Sequence, residues 1–184
     1  MASPWDPKAK LRDVDLPRLP VELGRQLRRV EPSKDRGFEY RPCQVVLRTG
    51  EVVDRVYVSD ARSYINRSGS WPWEATGVLY IPIAEISEIR PSPSRIPARF
   101  ANEMYRAGES GMGYFVYTLV LRDGRRLPYV TGAVDFPNLP RGVSPAHIVD
   151  LLPHVGRSEL QPEGHWTDDP HQQGADYHWS LYRT

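Results

Sequence analysis

The chain has 184 residues, 40% of them hydrophobic and 26% charged, with a formal net charge of +1. That length predicts one domain or two very small ones, and a near-zero charge excludes bulk electrostatic attraction to nucleic acid or membrane. Eighteen prolines point to many short elements and turns, and a single cysteine, Cys43, excludes an intrachain disulfide.

The amino-terminal stretch MASPWDPKAKL lacks the apolar core of a signal peptide, and no eighteen-residue apolar run occurs anywhere. These features predict a soluble, cytoplasmic protein with no membrane association. Its basic residues are nearly all arginine, with lysine only at 8, 10 and 34. Such a bias fits a GC-rich, bacterial genome.

In chain order, residues 1–37 read as an extended, proline-rich arm carrying Trp5, followed by a short helix on Val21, Leu23, Leu27 and Val30. Residues 38–93 form a first β unit. Within it, Val45 to Gly50 and Val52 to Val58 read as a hairpin, and Ser59 to Tyr80 reads as a long loop holding Trp71-Pro72-Trp73. Two tryptophans around a proline serve either as a plug over the core or as a recognition surface. Ile81 to Ile89 reads as a strand, a helical turn near Ala84-Glu85 and a closing strand.

A linking helix is expected in 94–110. Pro97 suits its first turn, Phe100, Met104 and Ala107 share a face, and Gly108 supplies the stop. Residues 111–157 form a second β unit. Tyr114 to Leu121 is apolar at nearly every position, as in a strand buried on both faces, and Asp123-Gly124 is a hairpin turn. Ser144-Pro145 looks like a helix start, with Ile148, Leu151 and Leu152 as the buried face. Residues 158–184 read as a polar tail with interspersed aromatics, among them Trp166 and Trp179.

The two units echo each other. Val45-Val46-Leu47-Arg48-Thr49-Gly50 matches Leu119-Val120-Leu121-Arg122-Asp123-Gly124, and Ile81 to Ile89 has a counterpart in Val143 to Leu151. The fold class expected is mainly β with a few short helices (α+β). It would hold two related antiparallel β units, built as SH3-like or Sm-like small barrels or as a fused β-meander, joined by a helix. The segment Val45 to Asp60, VVLRTGEVVDRVYVSD, is similar to the first Sm motif in its apolar strand, glycine turn and later aspartate. It lacks that motif's second glycine and its Met-Asn pair, so the resemblance carries no residue roles over.

Catalytic patterns are absent from the sequence. Gly108-Glu109-Ser110-Gly111 departs from the hydrolase signatures, because the first histidine, His147, follows the serine and the serine precedes a strand. The same glycines lead from helix to strand, the reverse of a phosphate-binding loop. The five histidines lack metal-ligand spacing, although Asp168, Asp169, His171 and Asp176 form a loose cluster, and Cys43 has no activating neighbour in sequence. No metal and no cofactor are expected.

The function expected is therefore non-enzymatic: a binding protein acting through protein–protein contact as an adaptor, a regulator, or an inhibitor or immunity protein. Candidate binding residues are Trp5, Trp71, Trp73, Arg62, Arg67, Trp166 and Trp179. One alternative is nucleic-acid binding through an arginine-rich face (Arg25, Arg28, Arg29, Arg41, Arg48, Arg55, Arg62, Arg67), with Tyr57, Tyr64 or Trp71 for stacking. A second alternative is an enzyme with dispersed residues around His147, Asp150 and His154. Association into a homo-oligomer through unpaired strand edges is a further possibility.

Overall fold

The computed structural model describes residues 10–11, 14–111, 113–154 and 176–184. These are mixed α+β, mainly β, with two sheets and no closed barrel. The chain divides into two units: unit 1 takes residues 1–92 together with 177–184, and unit 2 takes 93–176.

Unit 1 opens with helix α1 (Val21–Leu27), whose Leu23 and Leu27 face inward. Strand β1 (Ser33–Asp35) then pairs with β2 (Phe38–Leu47), and β2 pairs with β3 (Val52–Asp60). Helix α2 (Ala61–Ser68) follows β3 directly, started by the Asp60 carboxylate accepting from Ser63 N at 3.0 Å. This helix lies inside the stretch Ser59 to Tyr80, which reads as loop in the sequence. Its apolar positions Ala61, Tyr64 and Ile65 are too few among polar neighbours for a periodic signal to stand out. Strand β4 (Leu79–Tyr80), a 3-10 turn (Ile83–Glu85) and strand β5 (Ile86–Pro91) complete the first pass, and β5 pairs antiparallel with β2.

The sheet is finished by β9 (His178–Tyr182), which lies parallel between β3 and β4. Because strand side chains alternate, its two faces differ in chemistry. Cys43, Val45, Val56 and Val58 join Leu23, Leu27, Ile81, Ile83, Ile86 and Ile89 in an aliphatic core. Tyr57, Trp179 and Tyr80, which are register partners across β3, β9 and β4, begin an aromatic face.

Unit 2 contains α3 (Ala98–Ala107), with Pro97 as its N-cap and Phe100, Ala101, Met104 and Tyr105 buried. Its sheet orders β7 (Arg126–Thr131), β6 (Phe115–Leu121) and β8 (Ile148–Pro153), with β6 in the middle. Central β6 is buried at every position except Val120, as its unbroken apolar run predicted. Asp135 is fully buried and receives Arg95 Nε at 3.1 Å and the Tyr105 hydroxyl at 2.8 Å.

The helix expected after Ser144 is a correction. Only Pro145–His147 turns, as one 3-10 turn, and Ile148 to Pro153 is strand. Spacing of Ile148 and Leu151 at three residues mimics a helix face, but pairing with β6 shifts register between Val120 and Leu121, so both residues still reach the core. The 158–184 tail is corrected in part, since 178–182 is sheet-paired. Residues 158–175 lie outside the described residues.

The two units repeat one pattern in their internal registers. Leu47 N donates to Glu51 O at 2.8 Å and Leu121 N to Arg125 O at 2.9 Å, and each turn carries a positive-φ glycine, Gly50 (φ 89) and Gly124 (φ 87). The pairs Val45↔Val53 and Val46↔Val52 correspond to Leu119↔Leu127 and Val120↔Arg126. Likewise Val45↔Ile89 and Leu47↔Ile86 correspond to Leu119↔Leu151 and Leu121↔Ile148, each with a register shift at the same step. Arg48 N and Arg122 N even bond the matching carbonyls of Glu85 (2.7 Å) and His147 (2.9 Å). They differ at one point: β3 carries a bulge near Asp54 and Arg55, where Arg55 has φ 60, and β7 has none.

Candidate protein-binding surface

On the aromatic face of unit 1, Trp179 is the hub. Its ring centroid lies 4.8 Å from Tyr64, 5.0 Å from Tyr57, 5.6 Å from Tyr40 and 5.9 Å from Phe38. Strand β9 delivers it there by pairing Trp179 with Tyr57, and α2 contributes Tyr64. Edge-to-face and tilted pairs of this kind add to the area they bury. Trp179, expected on a polar tail, is thus part of a packed ring cluster.

The row ends in a second group. Tyr80, in register with Trp179, meets Trp73 at 4.8 Å and 68°, and Trp73 stacks on Trp71 at 5.2 Å and 10°. Pro72 starts the short 3-10 turn that turns both indoles the same way, and Glu74 closes it by accepting from Trp71 N at 2.8 Å. Lys10 Nζ reaches the same Glu74 oxygen at 2.8 Å, and this bond, followed by that from Trp71 N, holds the Glu74 carboxyl below its ordinary value.

The two indoles part company in exposure. Trp71 is 2% exposed and Trp73 is 44% exposed. Trp71 is therefore the plug and Trp73 the accessible face. Leu79 is also 43% exposed, and Tyr80 is half-buried, its hydroxyl pKa raised by burial and then by the nearby Glu85 charge.

The remaining expected residues fall elsewhere. Arg62 is exposed on α2, and Arg67 bonds Asp35 at 2.9 Å. Trp5 and Trp166 lie outside the described residues. For the stacking alternative, Tyr57, Tyr64 and Trp71 are all buried and offer no open face, which corrects that expectation. Arg48 Nε is used within the fold, donating to Ala84 O at 2.7 Å.

The residues of the enzymatic alternative have local partners. His147 Nδ1 accepts from Ser144 N at 3.2 Å, His154 Nε2 lies 2.9 Å from Thr118 Oγ1, and Asp150 accepts from Leu151 N at 2.9 Å. Ser110 Oγ accepts from Val116 N at 2.9 Å and donates to His154 O at 3.3 Å, so this hydroxyl pins the entry to β6. Cys43 is buried, its thiol pointing to Val56 O at 3.3 Å. Among the described residues no three His, Cys, Asp or Glu side chains converge as metal ligands, and no helix is long and apolar enough to cross a membrane. Asp168, Asp169 and His171 lie outside the described residues.

Compared with known proteins, the chain matches no family model, no curated protein and no solved structure.

Proposed function

We propose that this is a non-enzymatic binding protein that works through protein–protein contact, centred on Trp73 with Tyr80 and Leu79 beside it. The observation that carries this reading is the Trp71–Trp73 pair: a 44% exposed indole held parallel to one that is 2% exposed. An indole already fixed in the free protein loses little rotamer freedom on binding, and tryptophan is enriched among residues that dominate interface energies. Adaptor, regulator and inhibitor roles all use such an anchor.

The matched registers of the two units support a second element of the same reading. A single β-hairpin, 3-10 turn and closing strand was duplicated, and unit 1 then gained α2, β4 and β9. The small-barrel kinship rests on the same order of elements, with both sheets left open.

The test is affinity capture from the protein's own host with full-length chain, with and without nuclease, in parallel with Trp73→Ala. A stoichiometric protein partner that survives nuclease and is lost with Trp73→Ala is the expected result. Retention of the same partner by Trp73→Ala overturns the assignment to this surface. A nuclease-sensitive companion overturns protein binding in favour of the arginine-rich face.

A further inference from the structure

We propose that unit 1 binds an acidic segment of a partner protein at a cluster of three exposed arginines, Arg18, Arg62 and Arg183. This surface is separate from Trp73 and does not rest on it.

Backbone pairing brings two of them together. Arg18 and Arg183 face each other across an isolated parallel bridge, and Arg183 N donates to Pro17 O at 3.0 Å. Register partners project to the same side of a sheet, and like charges directly opposite each other destabilise it. Arg62 belongs to the same corner. Asp60 is the register partner of Tyr182 and the N-cap of α2, and Arg62 lies in the first turn of that helix, two residues on.

No carboxylate of the fold pairs with these guanidiniums. Asp60 sits in the middle of the corner, yet its oxygens are filled by neutral donors. Oδ1 accepts from Ser63 N at 3.0 Å and Ser63 Oγ at 3.3 Å, and Oδ2 accepts from Thr184 Oγ1 at 3.0 Å and Thr184 N at 3.3 Å. Asp15, exposed three residues before Arg18, makes no bond to it. Among the described residues, Arg18, Arg62 and Arg183 are all exposed, and none makes an ion pair or a side-chain hydrogen bond. Other arginines of the unit are spent internally: Arg25 on Glu22, Arg41 on Glu39, Arg67 on Asp35 and Arg48 on Ala84 O.

Carboxylates of a partner complete this corner. A guanidinium presents a planar fork of donors that a carboxylate fills with two parallel bonds. Here no internal bond has to break first. The apolar neighbour points to polypeptide: Val21, three residues after Arg18, is 79% exposed and offers a contact to an aliphatic side chain that a sugar–phosphate backbone lacks. Tyr57, Tyr64 and Trp71 are buried and closed to stacked bases.

The probe is the acetylated, amidated pentapeptide Glu-Glu-Leu-Glu-Glu, titrated into the full chain and read on the guanidinium Nε–Hε signals by NMR. Peptide shifts the signals of Arg18, Arg62 and Arg183, added salt weakens the binding, and Trp73→Ala leaves it unchanged. Arg18→Gln, Arg62→Gln and Arg183→Gln each weaken it about two- to fivefold, as loss of one exposed ion pair does. The Trp179 indole signal reports that each variant stays folded. Unmoved arginine signals at millimolar peptide overturn the proposal. Equal binding of the lysine counterpart Lys-Lys-Leu-Lys-Lys does the same. An equal loss on Arg141→Gln, an exposed arginine of unit 2, would mean diffuse attraction and also overturns it. Tighter binding of a dodecathymidylate to the same three arginines assigns the corner to nucleic acid and overturns the partner chosen here.

Discussion

At the scale of the residue, the adjacent tryptophans separate stability from recognition. Trp71 fills a buried position, so Trp71→Ala leaves a cavity and costs about 3–5 kcal/mol in chemical denaturation. Trp73→Ala removes a 44% exposed ring and costs much less, leaving the folded chain for binding assays. Equal losses for the two would mean that Trp73 is structural as well. Tyrosines in unit 2 offer a second pair. The Tyr105 hydroxyl donates to buried Asp135, and Tyr105→Phe strips a hydrogen bond from a charge, costing about 1.5–3 kcal/mol. Tyr117 is fully buried against Tyr129, at 5.7 Å, and its hydroxyl has no hydrogen-bond partner among the described residues. Removing an unpaired buried hydroxyl relieves a desolvation cost, so Tyr117→Phe leaves the urea midpoint unchanged or raises it. A clear drop would show that this hydroxyl is bonded in solution.

At the scale of the element, both hairpins depend on a left-handed residue after the central strand. A side chain at Gly50 or Gly124 meets no neighbour, so the cost of substitution there is backbone strain alone. Gly124→Ala and Gly50→Ala should each cost roughly 1–2 kcal/mol, with additive effects because the substitutions sit in separate sheets. A non-additive double variant would show that the two hairpins fold as one cooperative structure. Strand β9 behaves differently from either hairpin, since its register depends on neighbours far away in the chain. Its Ser180 and Leu181 are fully buried, and its Trp179 is held by four rings of unit 1.

At the scale of the whole molecule, aromatic burial makes alkaline pH the sensitive limit. Burial is the leading cause that raises the hydroxyl pKa of Tyr64, Tyr80, Tyr117, Tyr177 and Tyr182, with Tyr64 pushed up to about 12. In the unfolded chain these groups ionise near about 10. A folded-state pKa raised above that value stabilises fully below it, and the contribution is lost as pH rises toward the folded value. The urea midpoint should therefore hold at pH 9 and fall by pH 11, with Tyr64→Phe reducing the fall. A midpoint that rose over this range would contradict the burial of these hydroxyls.

The sequence by itself determined the local architecture: the buried strand β6, both glycine hairpins, the helix after Pro97 and the correspondence between the two β units. Each rests on short-range physics, where a glycine turn, a proline at a helix start or an unbroken apolar run has few stable solutions. The exposed tryptophan was legible as one of a pair, Trp71 and Trp73, but not which of the two faced solvent. That division is tertiary, because exposure is set by packing: Trp71 is 2% exposed, and Trp73 keeps 44% with Tyr80 at 4.8 Å. The strand character of Ile148 to Pro153 was hidden, since spacing of three suits both a helix and a strand that shifts register. Only tertiary structure decided that a polar tail returns as β9: no local pattern in His178 to Tyr182 records that the gap it fills lies between β3 and β4.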